Sequence, residues 1–364
     1  MSVDLKAPIV QLCPSDIAPF ATLCQSVERA AQRLGRPCHT AFLRPTTGVA
    51  QRLAEATYLD LDAPEDYDVS GPAVAAWVHE QIGSREPALV LAQRYRSYRV
   101  ARAAGLPNHR TVTVAHEFGM LRRLRRRLDR RLRGRDVRFA GVSDAVASDL
   151  AKVTGDRWLL INAVDVTGLR DRLESRARAR VRLGLADRRF AVGVVGRLTA
   201  IKRPALALEA FRQFAEPESE LLFLGTGDAE LDLKRAAGDS SARFLGYVPD
   251  AAILFPGLDA VLIPTGAREA FGLIALEAMV AGVPVVSAPS PGVQFVTGEL
   301  GFFAASDRAE DLSAALAQAY ALTSAEQERW RTAAFDRAQR LFGVPALARQ
   351  LESLVRTAPD PQDR

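Results

Sequence analysis

The sequence predicts an α/β protein built from two Rossmann-like domains, each around a parallel sheet. Three observations carry that expectation. The 364 residues exceed what a single ordinary core organises. Short apolar, strand-length runs alternate with amphipathic stretches of helical period. The alternation stops over 167–189, a polar, arginine-rich stretch without strand signal, and then begins again. A composition of 48% hydrophobic and 25% charged residues is that of a globular chain.

In the first half, strands are expected at 8–12, 38–43, 88–92, 111–115, 137–142 and 158–161. A helix over 22–34 places Leu23, Val27, Ala30, Ala31 and Leu34 on one face. Pro72 fits the first position of another helix, where a missing N–H costs nothing. Ser143 fits the N-cap of a helix over 144–154 that Gly155 closes. The second half repeats the pattern, with strands at 190–195, 220–224, 242–245, 258–263 and 283–287. Beyond about 309 the chain reads as helical, with a frayed tail over 357–364. The expected division is a first domain over 1–168, a second over 169–342, and a helix in 343–364 packing back on the first.

Composition narrows the function. No apolar stretch approaches the roughly 20 residues that span a bilayer. The start lacks a charged region followed by an apolar one, so no signal peptide and a cytoplasmic location are expected. Cys13, Cys24 and Cys38 have no paired spacing and suit reduced thiols. The histidines at 39, 79, 109 and 116 are too scattered for a zinc cluster. The net charge of +5 is concentrated in one place: 121–135, LRRLRRRLDRRLRGR, holds nine arginines and one aspartate. The remaining 39 basic and 42 acidic residues leave −3. Such a chain is no general nucleic-acid binder but a near-neutral protein with one basic element.

The strongest motif is REAFGLIALEAMVAGVPVVS, 268–287. Glu269 falls in the loop before a helix and Glu277 in its second turn. The residues between them, with Phe271, Gly272 and Leu273, form the helix N-terminus, where free N–H groups and the dipole favour an anion. One carboxylate can then accept sugar hydroxyls ahead of a phosphate and the other a ribose diol behind it. Alone, the pair reads more simply as a capped helix with Glu277 in solvent. VVGRLTAIKRP, 194–204, runs from a strand through Gly196 to Arg197 and Lys202, before a helix that Pro204 starts. Two cations on a strand-to-helix loop suit a diphosphate, although a solvated loop has the same composition. Gly225-Thr226-Gly227 resembles a phosphate loop only weakly. Tyr247 and Val248, in FLGYVPD, stand on another strand-end loop that could lie under a base.

Together, Gly196-Arg197-x4-Lys202, GTGD, GYV and the spaced glutamates resemble glycosyltransferase family 4, retaining enzymes of the GT-B fold. The likeness is close over 190–300 and looser before. It implies an acceptor-side domain over 1–168 and a nucleotide-sugar domain over 169–342. Arg197 and Lys202 would hold the donor pyrophosphate, with Gly196 and Gly225 close by. Glu269 and the backbone of Phe271, Gly272 and Leu273 would bind sugar hydroxyls, Glu277 the ribose, and Tyr247 and Val248 the base. INAVD, 161–165, resembles the stretch that closes the family's first domain. His116, after the strand in TVTVAHEFG, resembles the family's histidine near the anomeric carbon, a polar contact to the transferred sugar; the other reading is a histidine satisfied in its loop. Gln93-Arg94-Tyr95-Arg96 are candidates for lining the acceptor side. Cys13-Pro14-Ser15-Asp16 departs from the family's Gly-Gly loop, as do Pro291-Gly292 from a second glycine pair and Gln294 from an acidic residue.

The expected reaction moves a hexose or N-acetylhexosamine from a nucleotide-sugar, UDP-linked by the resemblance, to a bacterial glycolipid or surface glycan such as a lipopolysaccharide precursor. Cations and a helix N-terminus stabilise the leaving diphosphate, so no metal and no cofactor are expected. Asp60-Leu61-Asp62 mimics a metal motif but stands in an acidic run far from the donor loops in sequence. A double displacement would need a carboxylate at the anomeric carbon, with Glu117 the one candidate; the resemblance implies the front-face route proposed for the family, with the departing phosphate taking the acceptor proton. A sugar-nucleotide epimerase or a non-catalytic nucleotide-sugar-binding protein of the same fold are the alternatives. A dehydrogenase lacks its G-x-G-x-x-G. Within 121–135, Leu121, Leu124, Leu128 and Leu132 form a stripe among arginines. Either the leucines pack on the first domain, or the element docks on an anionic membrane surface at the inner face of the plasma membrane.

Overall fold

The computed structural model describes residues 6–16, 20–44, 56–61, 66–186, 188–238 and 240–357. The chain divides into two compact units. The first comprises the residues up to Asp165 together with those from Phe342 onward, the second Val166–Leu341.

The first unit runs β1 (Ile9–Ser15), α1 (Phe20–Arg33), β2 (Cys38–Arg44), β3 (Thr57–Tyr58), α2 (Tyr67–Ile82), β4 (Leu89–Gln93), α3 (Arg94–Ala103), β5 (Thr111–Ala115), α4 (Leu124–Arg133), β6 (Arg138–Gly141), α5 (Asp144–Thr154) and β7 (Trp158–Leu159). Its strands pair in parallel in the order β3-β2-β1-β4-β5-β6-β7. The order reverses between β1 and β4, which makes the carboxyl ends of these strands a switch point. Strands covered on both faces are buried along their whole length, as β4 and β5 are. One face packs Val10, Leu12 and Val90 against Val74, Trp77 and Val100 of α2 and α3.

Ser143 caps α5 by accepting from the Val146 N–H, and Gly155 closes it in the left-handed region. Pro72 is corrected: it lies inside α2 rather than at its start. Asp66 supplies the cap six residues earlier, accepting from the Asp68 N–H, so the cap and not the proline sets where the helix begins.

The second unit runs α6 (Val166–Arg172), α7 (Arg176–Leu183), β8 (Phe190–Val195), α8 (Pro204–Phe214), β9 (Ser219–Leu224), α9 (Glu230–Ala237), β10 (Ala242–Gly246), β11 (Ala260–Ile263), α10 (Leu273–Ala281), β12 (Val285–Ser287), α11 (Pro291–Thr297), β13 (Phe302–Phe303), α12 (Ala309–Tyr320) and α13 (Ser324–Phe342). The parallel order is β10-β9-β8-β11-β12-β13, with its switch point between β8 and β11. The arginine-rich stretch after 167 is not a bare linker but contains α6 and α7. Arg180 of α7 is buried and donates to the carbonyls of Gly257 and Arg189 at 3.1 and 2.7 Å.

The last helix, α14 (Val344–Arg356), belongs to the first unit and packs on α1. Arg138 donates to the Leu354 carbonyl at 2.7 Å, and the Ile161 N–H donates to Gln350 Oε1 at 2.8 Å. The three cysteines are free. Among the described residues no helix is long and apolar enough to cross a membrane.

Candidate donor site and its relatives

The loops leaving β8 and β11 stand side by side because these strands are neighbours, and they carry most of the candidates. Beyond β8 the backbone turns at Gly196, whose N–H donates to the Leu224 carbonyl at 3.0 Å. Two residues on, Leu198 N–H donates to Thr226 O at 2.9 Å. The loops after β8 and β9 are thus laced together. A Cβ on Gly225 would lie 1.9 Å from Gly196 O, and one on Gly227 would lie 2.2 Å from Leu198 O. Both glycines are accounted for by this backbone contact without any phosphate.

Arg197 is exposed on this loop. Lys202 ends a short 3-10 turn before α8, and its Nζ lies 2.8 Å from Glu269 Oε2. Glu269 reaches that position from β11 through another 3-10 turn, Gly266–Arg268. Gly272 then starts α10 with φ +92° and no side-chain cap. The N–H groups of the first turn therefore lack helical acceptors, as an anion site requires. α11 presses on the same backbone: a Cβ on Gly292 would meet Glu269 O at 2.3 Å. The second residue of the Pro291-Gly292 pair is thus the one that must be glycine.

Glu277 is partly buried in α10. Burial raises its carboxyl to about pKa 8; Asp250 adds to the rise and Arg172 opposes it. Arg172 and Asp250 are ion-paired with each other. Neither was identifiable from the sequence, since the pair joins α6 to a loop 78 residues away. Tyr247 is exposed and Val248 half-buried on the loop after β10.

His116 belongs to the first unit, directly after β5. Its Nε2 lies 2.7 Å from Gln93 Oε1, and Phe20 meets its ring edge-on at 5.0 Å. Burial, with Arg94 as a second cause, lowers its pKa to about 3, so the imidazole is neutral at physiological pH. The run 93–96 does not line a surface as a block. Gln93 is buried at the end of β4, and Tyr95 donates to Asp129 Oδ2 at 2.8 Å. Glu117 is exposed.

Asp60 lies in the left-handed region at φ +48°, and Asp62 lies outside the described residues. Among the described residues no three His, Cys, Asp or Glu side chains gather as a metal site.

In the basic element, the expectation that leucines pack on the domain is overturned. Leu121 is buried, but it precedes α4. Leu124, Leu128 and Leu132 are 79%, 53% and 67% exposed. Polar groups anchor the helix instead. Asp129 accepts from Arg102 at 2.7 Å, Arg126 lies over the Tyr95 ring at 4.6 Å, and Arg130 donates to the Thr154 carbonyl at 3.0 Å.

Two Rossmann-like parallel-sheet domains, with cations and carboxylates at the switch point of the second, place the protein in the GT-B class of glycosyltransferase folds. Residues 189–321, within the second unit, match the family model for glycosyl transferases group 1. The D-inositol 3-phosphate glycosyltransferase of Rhodococcus jostii is 33% identical over 177 residues, 43% of this chain and 39% of that protein. The phosphatidyl-myo-inositol mannosyltransferase of Mycobacterium tuberculosis is 30% identical over 217 residues, 57% of this chain and 53% of that protein. These matches span about two fifths to one half of the relatives' own length. In fold, Anabaena Alr3699/HepE, solved with UDP and glucose, superposes with a TM-score of 0.77 over 96% of this chain and 100% of its own, at 18% identity.

Proposed function

We propose that the protein is a metal-independent, retaining hexosyltransferase. It moves a hexose or N-acetylhexosamine from a UDP-sugar to a bacterial glycolipid or surface-glycan acceptor. The observation that carries this reading is the Lys202–Glu269 contact at the β8/β11 switch point, beside the uncapped start of α10. Breaking a sugar–diphosphate bond builds charge on the leaving oxygen. Arg197, Lys202 and the α10 N–H groups stabilise that charge most in the transition state. Glu269 and the backbone at Phe271, Gly272 and Leu273 take the sugar hydroxyls, Glu277 the ribose diol, and Tyr247 and Val248 the base. For His116, in the first unit, the family resemblance implies a polar contact to the transferred sugar. With the diphosphate accepting the acceptor proton, no carboxylate nucleophile is needed. Two relatives are named for phosphorylated inositols, which supports an acceptor bearing phosphate.

The partner surface in this reading is an anionic membrane, met through 121–135. Leu124, Leu128 and Leu132 face outward between arginines, while Asp129, the one carboxylate of the segment, is turned inward. A narrow leucine seam flanked by cations suits the headgroup region of a bilayer.

Thermal shifts with UDP, ADP and GDP test the donor, since a ligand at 100 times its Kd adds about 2.7 kcal/mol. Stabilisation by UDP with transfer that persists in EDTA is the expected result. Loss of transfer on chelation, restored by Mg²⁺, would overturn metal independence. Turnover of the donor to an epimer without acceptor would favour the epimerase. Co-sedimentation with anionic but not neutral vesicles at low salt, lost in Leu124→Ser/Leu128→Ser, tests the docking surface.

A further inference from the structure

Behind His116 a file of buried polar side chains crosses the first sheet. His116 Nε2 lies 2.7 Å from Gln93 Oε1. Gln93 Nε2 donates to Gln11 Oε1 at 3.1 Å, and Gln11 Nε2 donates to Thr40 Oγ1 at 3.0 Å. Thr40 donates its hydroxyl proton to Glu28 Oε1 at 2.5 Å. The second Gln11 amide proton reaches the Cys24 carbonyl at 3.4 Å. Gln93, Gln11, Thr40 and Glu28 are all buried, on β4, β1, β2 and α1 in turn. Four polar side chains are costly in a core unless each is satisfied, and here each link satisfies the next.

The direction of the file is fixed at its far end. A carboxylate can only accept, so Thr40 must donate to Glu28 and accept from Gln11. Gln11 then presents its carbonyl oxygen to the Gln93 amide, and Gln93 presents its own oxygen to His116. The imidazole must therefore carry its proton on Nε2. Among the described residues its other nitrogen, Nδ1, has no hydrogen-bond partner.

We propose that Glu28, acting through Thr40, Gln11 and Gln93, is a positioning residue that locks His116 in the Nε2–H tautomer and leaves the Nδ1 lone pair to accept from a substrate hydroxyl. The proposal rests on the role given to His116 above. It adds that the ring serves as a fixed acceptor rather than a proton carrier, and it names the class of group received, a sugar or acceptor hydroxyl. The tautomer is decided four side chains away, on α1.

Long-range ¹H–¹⁵N spectra of the full chain with labelled histidine read the tautomer directly, with His116→Asn assigning the signal. A single Nε2–H form, unchanged from about pH 5.5 to 8, is expected. Gln11→Leu and Thr40→Val each break the file and should release a mixture of tautomers. They should lower kcat about 10- to 100-fold, the range for residues that orient a functional group from behind, with the donor KM unchanged. Glu28→Gln still accepts from Thr40 through its amide oxygen and should keep both tautomer and rate, whereas Glu28→Leu should lose both. An Nδ1–H form in the wild type, or one unaltered in Thr40→Val and Gln11→Leu, overturns the relay. A tautomer released with kcat unchanged overturns the role of His116 in transfer and leaves the relay standing.

Discussion

The Lys202 ammonium lies 2.8 Å from the Glu269 carboxylate across 67 residues of sequence. The two groups hold each other where a diphosphate and a sugar would each claim one of them. Lys202→Ala and Arg197→Ala should each cost about 2–4 kcal/mol of transition-state stabilisation, with the fold intact. In kcat/KM that is a loss of roughly 30- to 900-fold. Lys202→Ala also strips Glu269 of its partner, so its effect should differ in a Glu269→Gln background. Near-normal kcat/KM in both single variants would remove the diphosphate assignment.

Glu277 gives a pH dependence with a definite sign. Its folded pKa, about 8, lies above the ordinary 4.5, so between these values the folded state holds a proton that the unfolded state has lost. Its contribution to stability is therefore present below 4.5 and lost as pH rises through 8. Glu277→Gln mimics the protonated form. The variant should match wild type in denaturant melts near pH 4.5 and exceed it increasingly toward pH 9. Parallel curves across that range would contradict the buried carboxyl.

His116 works the other way. Its pKa is depressed from 6.5 to about 3, so below 6.5 the unfolded chain takes up a proton that the folded one refuses. Stability from this group is full above 6.5 and declines as pH falls toward 3. Because the ring stays neutral, the kcat profile should carry no histidine limb between about pH 5.5 and 8. His116→Ala should lower kcat without changing the shape of the profile. An acid limb near 6.5 that vanishes in the variant would show an ionising His116.

Gly225→Ala tests the lacing of the two loops. The new Cβ would sit 1.9 Å from Gly196 O on a backbone at φ +149°. Overpacking and backbone strain each cost about 1–3 kcal/mol, and the Arg197 loop would shift with them. A lower melting temperature together with weaker nucleotide binding is expected; unchanged values would show that the loops are loose.

Legibility in the sequence followed the range of the interactions. The strands at 111–115 and 190–195 and the caps at Ser143 and Gly155 are local, and their observed bounds agree with the expected ones. The two-residue strands β3 and β13 had no signature of their own, because edge pairing made them. Pro72 misled because a better cap lay upstream at Asp66. The glutamates and the Arg/Lys loop were readable as a motif, but Gly225 and Gly227 owe their places to a neighbouring loop. α4 was misjudged in one alternative because periodicity reports a stripe without saying which side it faces. Its polar anchors, Arg102 and Tyr95, stand on α3.

The return of α14 to the first unit bears on how the chain is made. Gln350, which receives the Ile161 N–H, is 189 residues downstream, with the second unit encoded between them. During synthesis, at about 5–20 residues per second, that interval lasts roughly 10–40 s. The second unit can close on the ribosome while the first still lacks a helix. For that time the α1 surface that α14 will cover is open to water and to chaperones. A nascent chain released early would leave uncovered the α1 face on which α14 packs.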